Sequence, residues 1–531
     1  MLTRTIFYCI VILVFERDKK YMREWLSGGV SPCQGEGRGF ESRLALLKPP
    51  EFDQEVFFIT KGKRRKIMKK KLRRYIGDRH FYKMLLAIVV PIIIQNGITN
   101  FVSLLDNLMV GRIGTEQMSG VAIVNQLIFV FNLCIFGAVS GAGIFTAQFF
   151  GHGDYEGVRN TFRFKFLISI AFSVIGIAVF VSAGSQLISL FLHEGGESGD
   201  IMQTLKYGEQ YMGWILIGLL PFALSQVYSG TLRETGETIV PMIAGVAAVF
   251  VNLIFNYLLI YGSFGFPKLG VEGAAIATVL SRYVELGIIT VWSHTHTDKV
   301  PYIKGVYRTL KIPKELTQQI VAKGLPLILN EALWAFGIAI LNQCYSTRGL
   351  AAVAGINISS TITNLFNVVF IAMGSALAII VGQLLGAGKL KEAKETDTKL
   401  IFASVASCFI IGTIMAIVAP LFPQLYNTTD EVKELATFFI IFSAFMMPFN
   451  AFLHSTYFTL RSGGKTLITF FFDAGFVWIV SIPLAMMLSR LTDMPVRVLY
   501  ACCTGADLIK VVIGYILVKR GKWVVKIVDN D

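Results

Sequence analysis

Thr231-Leu232-Arg233-Glu234-Thr235-Gly236-Glu237-Thr238 returns 228 residues later as Thr459-Leu460-Arg461-Ser462-Gly463-Gly464-Lys465-Thr466, keeping the pattern Thr-Leu-Arg-x-x-Gly-x-Thr. Working outward, a second set of matches at an offset of 235 joins Pro91 to Pro326, Gly114 to Gly349, Phe131-Asn132 to Phe366-Asn367, and Gln148-x-x-Gly151-x-Gly153 to Gln383-x-x-Gly386-x-Gly388. Matches in the same order at so large a separation mark a duplicated unit, not a short tandem motif. The seven-residue change of offset places a shortening of the second copy between its second and fourth helices.

The material around these motifs is apolar. Windows long enough to span a bilayer fall near residues 82–107, 119–150, 165–191, 207–229, 239–262, 270–292, 317–344, 351–384, 400–422, 435–460, 467–489 and 496–518. The expected fold is therefore an all-α polytopic membrane protein of twelve helices in two six-helix repeats. Because six is even, both repeats enter the membrane from the same side and are parallel, related by an axis along the membrane normal.

Composition agrees. Of 531 residues, 54% are hydrophobic and 16% charged, and the mean hydropathy is +0.61, whereas a soluble domain is roughly a quarter charged. These values exclude a soluble globule and a disordered chain. The seven cysteines form no C-x-x-C pair and fall mostly in apolar runs, as packing residues do. The net charge of +14 suggests nucleic acid only until it is located: residues 1–80 hold 19 Lys/Arg against 9 Asp/Glu, so +10 precedes the first span. Such a block, with Lys61 to Lys66 and Lys69 to Arg74 at its heart, places the N-terminus on the cytoplasmic side of a bilayer and makes the lipid surface its partner, not nucleic acid. With that start, the inner loops and C-terminus carry about 19 Lys/Arg and the outer loops about 7, so both termini are expected in the cytoplasm.

Residues 1–67 look unlike the rest. The run Thr5 to Phe15 is too short to span and lacks a cleavage site, and Gly39-Phe40-Glu41-Ser42-Arg43 has codons compatible with a transfer-RNA T-loop read in frame. The expected organisation is a doubtful leader over 1–67 with the true start at Met68, a basic N-terminus over 68–80, a first lobe over 81–293, a cytoplasmic linker over 294–315, a second lobe over 316–519 and a tail over 520–531.

Chemistry inside the spans is carried by a few ionisable residues, which are costly there unless they face a cavity or a partner. Asp106, with Asn107 beside it, stands a turn from the outer end of the first helix, where it could carry a proton or, with added oxygen ligands, sodium. Glu331 follows Asn330 and precedes Trp334 by one turn, and the repeat sets Gln95-Asn96 against Asn330-Glu331. Polar pairs at one depth of both lobes would line a shared cavity, with Trp334 to stack on a planar or cationic ligand. Asp473 is a further cavity candidate, whereas Glu209, Arg282 and Lys510 are expected to snorkel from helix ends. Asn252 and Asn256, four apart, share a helix face and alone would be interhelical glue. Phosphate loops, nucleophile elbows and His/Cys clusters with ligand spacing are missing, so the chain is not expected to be an enzyme and no metal beyond sodium at Asp106 is expected.

Taken together, Pro91 with Asp106-Asn107 and Val110-Gly-Arg-Ile-Gly114, the repeated Leu-Arg-x-x-Gly-x-Thr, Asn252-x-x-x-Asn256-Tyr257 and Pro267-x-Leu-Gly270-Val-x-Gly-Ala-Ala-Ile-Ala-Thr278 resemble the multidrug and toxic compound extrusion family over residues 80 to 519. The resemblance implies a V-shaped pair of six-helix lobes, alternating access, and antiport of protons or sodium against cationic or amphipathic compounds, with no cofactor, in a monomer of the bacterial cytoplasmic membrane. It further implies a cation site at Asp106, Asn252, Asn256 and Thr278, with Asn256 in place of a family acid, and helix hinges at Pro91 and Pro326. Glu331 lies three residues before the position of a family glutamate, which is Trp334 here. Two other substrates stay open: a lipid-linked oligosaccharide, as in flippases of the same superfamily, and an endogenous metabolite.

Overall fold

The computed structural model describes residues 75–192 and 200–528. The expected leader and start site lie outside the described residues. Among the described residues, twelve helices are long and apolar enough to cross a membrane. The first lobe is α1 (Arg79–Gly111), α2 (Thr115–His152), α3 (Tyr155–Ser189), α4 (Ile201–Glu234), α5 (Ile239–Tyr261) and α6 (Val271–Thr295). The second is α7 (Lys314–Ser346), α8 (Leu350–Gly386), α9 (Leu390–Val418), α10 (Asp430–Ser462), α11 (Thr466–Leu491) and α12 (Val496–Arg520). Side chains outside the apolar runs set where helices begin. Asp154 accepts from Gly157 N at 2.9 Å to start α3, and Asp200 accepts from Met202 N and Gln203 N to start α4.

The repeated glycines follow from backbone geometry. Gly153 and Gly388, then Gly236 and Gly464, take positive φ of 84°, 73°, 93° and 69° at the turns after α2, α8, α4 and α10, a region glycine enters without a Cβ clash. Gly151 and Gly386 serve another purpose: the backbone of Gln383 lies against Gly151 and the backbone of Gln148 against Gly386, so a side chain at either would push the lobes apart.

Each lobe lends its first helix to the other. Phe81, Leu85, Ile88, Val89 and Ile92 of α1 are buried in the core built on α8, α9 and α10, while Ile320 and Leu327 of α7 join the core of α2, α3, α4 and α6. Among the described residues, the hydrogen bonds crossing between lobes all lie at the end where α2, α4, α8 and α10 finish. Gln148 Nε2 donates to Ser462 O at 2.9 Å, Gln383 Nε2 to Glu234 O at 2.8 Å, and Arg461 Nη2 to Ser140 O at 2.9 Å. The lobes are thus closed together at that end.

Two readings of polarity need revision. The linker, whose stretch from Ser293 to Pro313 reads as polar and basic, holds Val300, Tyr302, Ile303 and Val306 buried against α3, where Arg159 Nε donates to Tyr302 O at 3.2 Å and Arg163 Nε to Val306 O at 2.9 Å. Lys510, expected to snorkel, is 7% exposed and donates to Asp473 Oδ1 at 2.6 Å. The Asp473 carboxylate supplies the counter-charge that a buried ammonium requires.

Candidate functional site

Four residues expected to form a cation site converge from three helices. Asp106 on α1 accepts from Asn256 Nδ2 on α5 at 2.6 Å. Turned so that its neighbours are satisfied, the Asn252 amide donates to Asp106 at 2.9 Å and accepts from Thr278 Oγ1 on α6 at 3.2 Å. The helical spacing of Asn252 and Asn256 is what lets both amides meet one carboxylate. Asn256 Oδ1 is buried with no hydrogen-bond partner, which leaves an oxygen beside the acid available to a proton or a hard cation.

Tyr211 and Asn125, unremarked in the sequence, adjoin this pocket. Tyr211 on α4 donates to Asn125 Oδ1 at 3.2 Å and also interacts with Thr278 and Asp106. Arg282, one turn after Thr278, pairs with Glu285 at 3.3 Å and lies 5.0 Å over the Phe222 ring, so it is drawn inward and does not snorkel as expected. Glu209 is exposed and accepts from Ser185 Oγ at 2.5 Å, in keeping with a helix-end residue.

The second lobe gathers its polar residues differently. Tyr457 OH on α10 donates to Glu331 Oε1 at 3.1 Å. Asn330 is almost fully buried: its Nδ2 donates to Asp473 Oδ2 at 3.1 Å and its Oδ1 accepts from Ala474 N at 3.1 Å. That backbone N–H needs a side-chain partner because Phe471–Gly475 and Val477–Ser481 are π-helical turns, which interrupt the ordinary ladder and often mark functional positions. Asp473 is therefore held between Lys510 and Asn330, and its charge is balanced, so it does not add a free acid to the cavity. Trp334 is 39% exposed, one turn beyond Glu331.

The predicted symmetry of Gln95-Asn96 with Asn330-Glu331 holds for position but not for role. Gln95 is buried and its Oε1 accepts from Arg233 Nη2 at 2.5 Å, so it anchors the repeated arginine instead of facing a cavity; Asn96 is half-buried. Pro91 and Pro326 both lie inside unbroken helices, as do Pro221 in α4 and Pro448 in α10, two further interior prolines that the sequence reading passed over.

The MatE family model matches residues 91–258 and again 326–487, one copy on each lobe. The chain belongs to the MatE family. Like the family's other members, this MatE protein is a membrane transporter and not an enzyme. Its relatives include a probable multidrug resistance protein NorM of Thermotoga maritima, 26% identical over 413 residues that cover 77% of this chain and 86% of the relative. A probable multidrug resistance protein YoeA of Bacillus subtilis is 25% identical over 420 residues, covering 77% and 87%. Among solved structures, a MATE protein in the straight conformation superposes with a TM-score of 0.75 at 19% identity, covering 85% of this chain and 98% of that one. A mutant of the Vibrio cholerae MATE transporter VcmN gives 0.75 at 16% identity, covering 83% and 97%. Both match starts, residues 91 and 326, reproduce the 235-residue offset of the internal repeat.

Proposed function

We propose that this MatE transporter exports organic cations or amphipathic compounds from the cytoplasm in exchange for protons or sodium, by alternating access between its two lobes. The observation that carries the reading is the cluster of Asp106, Asn252, Asn256 and Thr278, where three helices of one lobe meet around a single acid. A cation or proton arriving there changes how α1, α5 and α6 are held, and coupling requires only that cation and drug favour opposite conformers. Relatives bearing multidrug resistance names support the substrate class. Glu331, the remaining carboxylate of the second-lobe group without a cationic partner in hydrogen-bond range, with Trp334 a turn away, supplies the complement to an organic cation. In this reading the closed end faces the cytoplasm, the chain sits in the bacterial inner membrane as a monomer, and Pro91 and Pro326 allow α1 and α7 to bend.

The test is ethidium accumulation in inverted vesicles, driven separately by a proton and by a sodium gradient. Accumulation with either gradient, lost in Asp106→Asn, supports the exporter and names its ion. No accumulation with either gradient overturns the substrate class and favours a lipid-linked sugar or a metabolite; accumulation unchanged in Asp106→Asn overturns the site.

A further inference from the structure

The duplicated Thr-Leu-Arg motif carries opposite chemistry in the two lobes. In the first, the Thr231 hydroxyl accepts from Lys165 Nζ at 3.2 Å, and the same ammonium pairs with Glu234. In the second, Thr459 donates through Oγ1 to Asp397 Oδ1 at 2.6 Å, and Ser462 stands at the match of Glu234. Asp397 is 1% exposed, and its Oδ2 is buried with no hydrogen-bond partner.

No cation reaches this acid among the described residues. α8 has no ionisable side chain along its length. From α10, Arg461 turns away to Ser140 O and over the Phe458 ring, and His454 stacks with Tyr457 and meets Phe370 edge to face. On α9 itself Lys391, Glu392, Lys394 and Glu395 are exposed, and Lys399 is half-buried. At the end of α12, Lys519 lies over the Tyr515 ring, and in the tail Lys522 is exposed. A buried carboxylate with one hydroxyl donor and no counter-charge is far cheaper to hold neutral than ionised. The Ser404, Ser455 and Thr456 hydroxyls of the α9–α10 pair, also buried without partners, keep the seam polar.

The C-terminal tail packs near the ends of α9 and α10 that carry Asp397 and Thr459: Gly521 lies against Lys394 and Trp523 against Gly463. Trp523 is 1% exposed and buried in one cluster with Ala393, Leu400 and Leu460, the residues flanking Asp397 and Thr459. Its carbonyl lies against Gly463, and its indole Nε1 donates to Val518 O at 3.1 Å. Beyond it the tail crosses to the first lobe: Gln148 Nε2 donates to Val525 O at 3.3 Å, Gln148 Oε1 accepts from Ile527 N at 2.8 Å, and Val528 is buried in the first lobe's core. Parting the lobes at this end must therefore pull residues 521–528 from one of them.

We propose that Asp397 is a proton-binding site of the second lobe, sealed by the strap of residues 521–528 while the lobes are closed together and opened to the adjacent water when they part. The proposal rests on the transporter reading for its purpose, but its test needs no transport. Infrared spectra of the full chain in lipid nanodiscs near neutral pH are expected to show a carboxylic-acid carbonyl band that Asp397→Asn removes and Asp106→Asn retains. Thr459→Val, which takes away the hydroxyl donor and leaves the acid in place, is expected to move that band to higher frequency, so the assignment survives even where Asp397→Asn fails to fold. Exchange of the acid proton in D2O is expected to be slow in the parent and at least tenfold faster in Trp523→Ala. Absence of the band from the parent, or its persistence unshifted in both Asp397→Asn and Thr459→Val, overturns the proton site. Equal exchange in the parent and Trp523→Ala overturns the seal.

Discussion

Gln148 and Gln383 make the same bond in opposite directions, each sending its side-chain amide across the lobe boundary to the last turn of the other lobe's fourth helix, Ser462 in one case and Glu234 in the other. A duplicated sequence closing on itself about an axis can give a contact a twin, and the two glutamines form such a pair. Only Gln148 also holds the tail, through Val525 and Ile527. Gln148→Ala leaves buried backbone groups without partners, at about 1–3 kcal/mol, and every 1.4 kcal/mol shifts the open-to-closed ratio about tenfold. Spin labels at the exposed positions Glu156 and Lys391 should report a broader, longer distance at this end in Gln148→Ala. Gln383→Ala should shift it less, since it loses one cross-lobe bond and not three.

Asp106→Asn should preserve expression and monodispersity, because an amide of the same shape still meets Asn252 and Asn256, and should cut gradient-driven ethidium uptake by about tenfold or more, the scale of a typical coupling free energy. Asn256→Asp places at this position the acid that the family resemblance implies. It should tighten sodium binding, read as a sodium-dependent rise in melting temperature that the parent shows more weakly or not at all.

The duplication was legible because its glycines answer to geometry: a turn with positive φ at Gly153, Gly388, Gly236 and Gly464, or a backbone in contact at Gly151 and Gly386, leaves little choice of residue. The first-lobe cluster was legible in its spacing, Asn252 and Asn256 a turn apart, and in the family resemblance that joined them to Asp106 and Thr278. What escaped was partnership across distant sequence. A hydropathy window treats Lys510 and Asp473 as two separate costs, whereas the bundle makes them one pair. Trp523 and the buried part of the linker escaped for another reason, because apolar runs that short carry no periodicity and declare their burial only through the surface they land on.

The pair formed by Lys510 and Asp473 also sets a stability prediction. Asp473→Asn leaves a buried ammonium without its counter-charge, and breaking such a pair from one side costs about 3–5 kcal/mol. The variant should therefore melt well below the parent in fluorescence-detected size exclusion. Adding Lys510→Met removes the orphaned charge and should recover most of the loss. A double variant as unstable as the single one would mean that Asn330 and the π-helical turns, and not the charge pair, depend on Asp473.

Gly141 gives the cleanest control over conformation. A Cβ placed there would come within 2.6 Å of Gly324 Cα, backbone against backbone across the lobe boundary, with no flexible side chain able to move aside. Gly141→Leu should then push α7 off α2 and prevent closure at this end, and hold the transporter with the opposite end shut. Gly213→Leu, where nothing lies within 4 Å, is the matched control for adding a leucine to the same lobe. In the spin-label measurement Gly141→Leu should lose the short distance that Gly213→Leu keeps. Both should remain monodisperse, but ethidium accumulation should fail only in Gly141→Leu, since a transporter that cannot close one end binds its substrate without completing the cycle.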